Sequence, residues 1–82
     1  MFQMTVERFI KVDDIVSISG PCKNRWDFTN RLTDDYGKIY NAYVPLGKEL
    51  VIDDSNIMLC LQGEVDTESL KGRVLKTYQP PN

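Results

Sequence analysis

The stretch KVDDIVSISGP, residues 11–21, decides the fold. Its Asp pair at 13–14 predicts a turn, because Asp side chains accept hydrogen bonds from nearby backbone amides. The following residues, Ile15 to Ser19, are rich in β-branched side chains, which favours a strand. Gly20 and Pro21 end that strand, since Pro has no amide hydrogen to donate and Gly accepts unusual φ angles. The rest of the chain is organised around this strand.

Segments on both sides of it predict further strands. Phe2, Met4 and Val6 alternate with polar residues, and a period of two is typical of a half-buried strand. Trp26 and Phe28 alternate in the same way, so a strand is predicted there with both rings on one face. Other β-prone segments are bounded by turn residues and predict strands at 38–44, 49–52, 57–61 and 74–78.

Seven short strands at a spacing of about ten residues predict an all-β fold. We expect a small closed or nearly closed β-barrel of six to seven strands, because closure removes exposed sheet edges. A two-sheet sandwich is the alternative. One short helical turn is predicted near residues 66–71, with Asp66 or Thr67 as its cap. Residues 1–79 are expected to form a single domain and residues 80–82 a frayed tail.

The composition excludes several kinds of chemistry. The chain has no histidine, which removes His general bases, His-activated nucleophiles and nearly all catalytic zinc sites. We therefore expect no enzyme activity, no catalytic residue, no metal and no cofactor. The net charge is −2 with interleaved signs, so the whole chain offers no basic surface to a phosphate backbone, although it allows a local patch.

The sequence also indicates a cellular setting. No apolar run approaches the roughly 20 residues of a membrane helix, and the first residues lack the pattern of a signal peptide. A cytoplasmic location without a membrane partner is therefore expected. Cys22 and Cys60 match no CxxC motif or disulfide framework. They are predicted to be reduced thiols, with Cys60 in the core, and a single disulfide is the alternative.

The candidate binding residues are Lys23, Arg25, Trp26 and Arg31, which place three positive charges around one aromatic ring. Such a group can contact phosphates while a base stacks on Trp26. The competing interpretation makes Trp26 a core residue, because it alternates with Phe28, and leaves the charges as ordinary solvated side chains. The sequence favours that second interpretation for Trp26.

Acidic and tyrosine-rich segments suggest two other kinds of site. Three Asp pairs fall at predicted turns, and we interpret them as solvated turn residues rather than metal ligands: Asp13–Asp14, Asp34–Asp35 and Asp53–Asp54. Tyr36, Tyr40 and Tyr43 can line a recognition face, but at least one of them is expected in the core. Apolar residues on both sides of 57–61 predict a buried strand there.

The opening stretch also carries a resemblance. KVDDIVSISGP resembles the signature K-V-G-D-x-(apolar)-x-I-x-G-P of small translation-factor-like β-barrels, with Asp13 in place of its first Gly. A wider set of positions looks like the C-terminal accessory domain of collagenase-like (U-thirty-two family) peptidases: Lys23, 26–29, Leu32, 34–37, 44–45 and 50–52. Cys22 stands where that pattern favours a second Gly. Residues 64–75 resemble the translation-factor ending R-G-x-V-L.

The resemblance implies a barrel similar to domain two of the elongation-factor GTPases. Neither the catalytic portion of those peptidases nor a GxxxxGK[ST] nucleotide motif is in this sequence, so no catalytic role carries over. We predict a non-catalytic accessory module that docks a macromolecule or supports a neighbouring catalytic domain. The alternatives are an RNA-binding barrel that uses the basic and aromatic residues, and a protein-interaction domain that buries the tyrosine-rich segment.

Overall fold

The computed structural model describes residues 1–45 and 56–80. These residues form one antiparallel sheet of eight strands, with a 3-10 turn at Arg25–Asp27. The all-β prediction is therefore confirmed. In chain order the strands are β1 (Gln3–Thr5), β2 (Arg8–Val12), β3 (Ile15–Gly20), β4 (Cys22–Lys23), β5 (Arg31–Thr33), β6 (Ile39–Tyr43), β7 (Ile57–Gln62) and β8 (Val74–Thr77).

The strands are ordered β2-β3-β7-β6-β5-β8-β1-β4 across the sheet. β1 and β2 follow each other along one bent ribbon, and β3 and β4 follow each other along a second. The two ribbons pair with each other in antiparallel orientation. At the bend, the Thr5 amide donates to the Pro21 carbonyl at 3.0 Å and the Glu7 amide donates to the Ser19 carbonyl at 2.9 Å. The pairing between the two ribbons thus continues from β2–β3 to β1–β4.

Gly20 and Pro21 lie at this bend, where the sequence predicts the end of a strand. A Cβ atom at Gly20 would collide with the backbone carbonyl of Thr5, so the two ribbons come this close only because Gly has no side chain. Pro21 lacks an amide hydrogen but offers its carbonyl to Thr5. β3 ends at Gly20, as predicted, and the pair bends the ribbon so that the pairing continues in β4.

The core lies on the inner face of the curved sheet. Phe2, Met4 and Val6 are all at most 1% exposed, which confirms the period-two prediction at the N-terminus. Phe28 packs edge-on against Phe2 with ring centroids 5.4 Å apart. The other buried apolar residues are Val16, Ile18, Cys22, Leu32, Tyr40, Ala42, Ile57, Leu59, Cys60, Leu61, Leu70 and Leu75.

Several element predictions need correction. The strand predicted around Trp26 is wrong, because Asn24 adopts a left-handed conformation with φ 57° and the chain enters the 3-10 turn. β2 and β5 were not predicted as strands. Residues 68–72 form turns, closed by Leu70 N–Thr67 O and Arg73 N–Leu70 O hydrogen bonds, rather than a helix. The strand and turn predicted at 49–55 and the tail residues 81–82 lie outside the described residues.

Two smaller predictions are confirmed. Asp66 Oδ1 accepts a hydrogen bond from the Glu68 amide at 3.0 Å, as expected for a cap at the start of that turn. Cys22 and Cys60 are both buried and are not joined in a disulfide. The alternative of a single disulfide is therefore not supported by the structure.

Candidate docking face

The outer side of β4, β1, β8 and β5 carries a row of polar and basic side chains. Cross-strand pairs link Thr33 to Lys76, Lys76 to Gln3, and Gln3 to Lys23. Directly opposed residues project to the same side of a sheet, so these four side chains share one face. Their neighbours Met4, Cys22 and Leu75 are buried, which places the row on the outside.

Arg31 and Tyr78 form a second row beside the first. The Tyr78 amide donates to the Arg31 carbonyl at 3.1 Å, and the Arg31 guanidinium carbon lies 5.9 Å from the centre of the Tyr78 ring. Tyr78 is two residues beyond Lys76, and side chains two apart on a strand point the same way. Arg31 and Tyr78 therefore extend the face that Lys23 and Lys76 begin.

The 3-10 turn adds an exposed tryptophan. Trp26 is 74% exposed, so the prediction of a core residue is wrong. Phe28 takes the inward position next to Phe2 instead. The Arg25 guanidinium carbon lies 5.0 Å from the Trp26 ring centre, within the distance of a cation–π contact.

The turn is anchored to the N-terminus of the chain. The Met1 amino group forms an ion pair with Asp27 Oδ2 at 2.9 Å, and the Asn24 side-chain amide donates to the Met1 carbonyl at 2.9 Å. Because Met1 precedes β1, these contacts hold the turn beside the strand that carries Gln3. They also give Asp27 a counter-charge, which reduces the repulsion between its carboxylate and an anion bound at Trp26.

The four predicted residues are thus arranged in two groups. Arg25 and Trp26 are in direct contact, and Lys23 lies on the strand just before them. Arg31 contacts Tyr78. The structure adds Lys76 and Tyr78, which the sequence did not single out as binding residues. We call this surface the basic-aromatic face: Lys23, Arg25, Trp26, Arg31, Lys76 and Tyr78.

The face is positively charged although the chain as a whole is negative. It carries four cations, and among the described residues ion pairs place two carboxylates beside it: Asp27, which pairs with Met1, and Asp35, which lies 3.6 Å from Lys76 Nζ. The ion pair between Lys76 and Asp35 is solvent-exposed and therefore weak. Lys23 forms no ion pair with a described residue.

A buried carboxylate organises the loop between β5 and β6. Asp34 is 4% exposed, so interpreting it as a solvated turn residue is wrong, whereas its neighbour Asp35 is exposed. The Asp34 carboxylate accepts hydrogen bonds from the Tyr40 hydroxyl at 2.7 Å, the Tyr36 amide at 2.8 Å and the Lys38 amide at 3.0 Å. Those bonds satisfy both of its oxygens.

These contacts set two pKa values. Burial alone raises the pKa of Asp34, but the hydrogen bonds from Tyr40, Lys38 and Tyr36 and the charge of Arg73 outweigh burial and lower it below the usual 3.8. Burial, and then the hydrogen bond and charge of Asp34, raise the pKa of Tyr40 to about 12. The carboxylate is thus held ionised and the phenol neutral.

Arg73 joins this network to the surface. Its Nη1 lies 3.9 Å from Asp34 Oδ2, its Nε and Nη2 donate to the Ser69 carbonyl, and its guanidinium stacks 4.3 Å from the centre of the Tyr36 ring. Tyr36 is nevertheless 81% exposed. The network therefore presents another cation–aromatic pair, at the opposite end of β8 from Tyr78.

The three tyrosines of this region have different roles. Tyr40 is in the core, as expected for at least one of them. Tyr43 is half-buried and lies opposite Cys60; burial raises its pKa, with a further contribution from Cys60. Cys60 Sγ is 3.6 Å from Ser17 Oγ, on the outer side of the sheet. These tyrosines therefore do not form a single recognition face.

The described part of the chain contains no group of three or more His, Cys, Asp or Glu residues that could hold a metal ion. Within the same residues, no helix has the length and apolar character needed to cross a membrane. Comparisons with protein-family models, with curated proteins and with solved structures find no match for this chain.

Proposed function

We propose that this chain is a non-catalytic accessory module that docks single-stranded RNA on its basic-aromatic face. The exposure of Trp26, with Arg25 against its ring, is the observation that carries the proposal. A tryptophan with 74% of its surface in solvent contributes little to the core, but it offers a broad π surface to a base. Stacking of a base on an aromatic side chain is worth about 1–3 kcal/mol.

The other charges of the basic-aromatic face suit a phosphate chain. Lys23 and Lys76 face the same side, one on each side of Gln3, so they are separated by two strand spacings, or about 10 Å. Arg31 and Tyr78 offer a second cation and a second ring beside them. A surface that combines cations with aromatic rings is typical of proteins that bind single strands without reading their sequence.

We further propose that the sheet curls into a nearly closed barrel, similar to domain two of the translation factors. The continuous pairing of the two bent ribbons supports this, because one ribbon pairs with β8 and the other with β7. Asp13 supports the resemblance as well. Its φ of 55° is a conformation that Gly adopts most easily, and the signature has Gly at this position.

A cytoplasmic setting belongs to the same proposal. Cys22 and Cys60 are not joined in a disulfide, which suits a reducing compartment, where disulfides are rare. The protein-interaction alternative rests on exposed tyrosine, and Tyr36 is the residue that favours it. It differs from the RNA proposal in its response to salt, because binding through phosphate contacts weakens steeply as salt rises.

Binding of a labelled, mixed-sequence single-stranded RNA, followed by anisotropy, tests the proposal. We expect a dissociation constant on the order of 10⁻⁶–10⁻⁴ M, and a log–log salt slope of about −2 to −3 for three or four phosphate contacts. Lys23→Glu and Arg31→Glu should each weaken binding at least threefold. The matched control, Lys11→Glu on β2, makes the same charge change away from the face and should leave binding nearly unchanged.

Two results would count against the proposal. One is the absence of binding at 100 micromolar RNA, about the weak end of non-specific affinity. The other is an equal loss of affinity in Lys11→Glu and Lys23→Glu, which would assign the effect to net charge. Binding of a protein that survives high salt, without RNA binding, would favour the interaction-domain alternative.

A further inference from the structure

Tyr36 is an exposed ring on a hydrogen-bonded turn. Its side chain is 81% exposed, although its backbone amide donates to the buried Asp34 carboxylate at 2.8 Å. The Arg73 guanidinium carbon lies 4.3 Å from the ring centre, within the distance of a cation–π contact. Arg73 is held in turn by its hydrogen bonds to the Ser69 carbonyl. The fold therefore positions this ring while most of its surface faces solvent.

Trp26 shows the same arrangement. It is 74% exposed, and the Arg25 guanidinium carbon lies 5.0 Å from its ring centre. Among the described residues, Trp26 and Tyr36 are the most exposed aromatic side chains, and each contacts an arginine. Such a pair suits a nucleotide, because a base stacks on the ring and the cation attracts the phosphate. Tyr36 therefore has the features on which the RNA proposal for Trp26 rests.

Trp26 lies at one end of β8. Gln3 is directly opposite Lys76. Met1 and Tyr78 are each two residues from this pair, toward the same end, because β1 and β8 are antiparallel. Met1 holds the turn that carries Trp26 through its contacts with that turn. The Trp26 and Tyr78 rings are therefore at the same end of the strand.

Tyr36 lies at the other end of β8. It lines a cleft of about 270 Å³ together with Val74, the first residue of the strand. Leu75 is buried, so its neighbours Val74 and Lys76 project to the outer side. Val74 and Tyr78 are four residues apart, or about 13 Å along the strand. Bases stacked at a spacing of about 3.4 Å cover this distance with about four nucleotides.

Basic residues outnumber acidic ones in the cleft: the charged residues that line it, among those described, are Lys71, Arg73 and Asp35. Asp35 is paired with Lys76 at 3.6 Å. Arg73 is paired with the buried Asp34 at 3.9 Å. Lys71 is exposed and forms no ion pair with a described residue. The cleft therefore retains a positive charge, which suits a phosphate.

We propose that Tyr36 is a second stacking position for single-stranded RNA, and that the strand runs along the outer side of β8 from Trp26 to Tyr36. Lys76 lies between the two positions and contacts a phosphate. This inference rests on the RNA-binding function proposed above and extends its site by one ring. It assigns Tyr36 to RNA instead of a protein partner. A strand that reaches both rings needs at least about four nucleotides.

The probe is a mixed-sequence decamer of single-stranded RNA, added to the chain labelled with ¹³C-tyrosine. A base that stacks on a ring shifts the proton resonances of that ring upfield. We expect this shift at Tyr36 and no shift at Tyr40, which is buried and serves as the internal control. The shift of Tyr36 should follow the same dissociation constant as the quenching of Trp26.

Variants at Tyr36 measure the contribution of the ring. Tyr36→Ala should weaken binding of the decamer about fivefold or more, as expected for the loss of one stacked base. This variant is expected to fold, because the side chain is exposed and the hydrogen bond to Asp34 uses the backbone amide. Tyr36→Phe keeps the ring and should bind like the original chain. The matched control, Ile10→Ala, removes a 66% exposed apolar side chain on β2 and should leave binding unchanged.

Failure of this inference is distinct from failure of the RNA proposal. If the decamer binds and Trp26→Ala weakens it, but Tyr36→Ala binds normally and the Tyr36 resonances stay in place, the second stacking position alone is overturned. Equal losses in Tyr36→Ala and Tyr36→Phe would also overturn it, since a retained ring should retain the stacked base. No binding of the decamer to the original chain would overturn both proposals.

Discussion

Replacing Asp34 with Ala should lower the free energy of unfolding more than any other single substitution of an acidic residue in the described structure. The substitution removes a carboxylate that accepts three hydrogen bonds, one of them from the buried Tyr40 hydroxyl. A hydrogen bond to a charged group contributes about 1.5–3 kcal/mol, and the Tyr40 hydroxyl would be left without a partner at a cost of about 1–3 kcal/mol. Because such terms are not additive, we expect a total loss of about 3–4 kcal/mol.

Asp35→Ala is the matched control. It removes the neighbouring carboxylate, whose exposed ion pair with Lys76 contributes about 0–1 kcal/mol. Urea unfolding followed by far-ultraviolet circular dichroism measures the free energy of unfolding of both variants. For a domain of this size, Asp34→Ala should lower Tm by roughly 15–25 °C. A difference of less than about 1 kcal/mol between the two variants would refute the structural role assigned to Asp34.

The lowered pKa of the Asp34 carboxylate also predicts how the stability of the fold changes in acid. Its pKa in the folded chain lies below 3.8, so the folded state binds the proton more weakly than the unfolded state does. The stabilisation is therefore fully present above pH 3.8 and is lost as the pH falls through that value and below it. Asp34→Ala should flatten this part of the stability curve, whereas Asp35→Ala should retain it.

Three further predictions concern the bend, the β2–β3 turn and the buried phenol. Gly20→Ala should cost about 1–3 kcal/mol or more in urea unfolding, because its Cβ meets the Thr5 carbonyl; an unchanged midpoint would refute the close approach. Asp13→Gly should stabilise the chain by up to about 1 kcal/mol and Asp13→Ala should destabilise it, since φ is 55°; the reverse order would contradict that conformation. In an absorbance titration, Tyr40 should ionise near pH 12, and its ionisation at pH 10 would contradict its burial and its bond to Asp34.

Much of the fold follows from local patterns in the sequence. Phe2, Met4 and Val6 are all buried, as their alternation predicts, and most of the apolar run at 57–61 is buried in β7. β2 was not predicted as a strand, because four of its five residues are exposed and its sequence shows no alternation between an apolar and a polar face. An edge strand with apolar side chains in solvent gives no such signal.

The candidate site was less predictable, since it depends on contacts between distant segments. Trp26 and Phe28 alternate as strand residues do, but the left-handed Asn24 changes the direction of the chain before them. An Asp pair after β5 is typical of a solvated turn, but the buried Asp34 also contacts Tyr40 and Arg73, which lie farther along the chain. Neither the conformation of Asn24 nor the position of Arg73 can be inferred from neighbouring residues.

The most direct test of the central claim is the fluorescence of Trp26, which is the single tryptophan of the chain, during titration with single-stranded RNA. Trp26 is 74% exposed, so Trp26→Ala should change the free energy of unfolding by no more than about 0.5 kcal/mol and leaves a folded control. We predict that RNA quenches the emission with the dissociation constant measured by anisotropy, and that Trp26→Ala weakens binding about fivefold or more, as expected for the loss of one stacked base. RNA binding that leaves the Trp26 emission unchanged, or that Trp26→Ala retains in full, would contradict the claim.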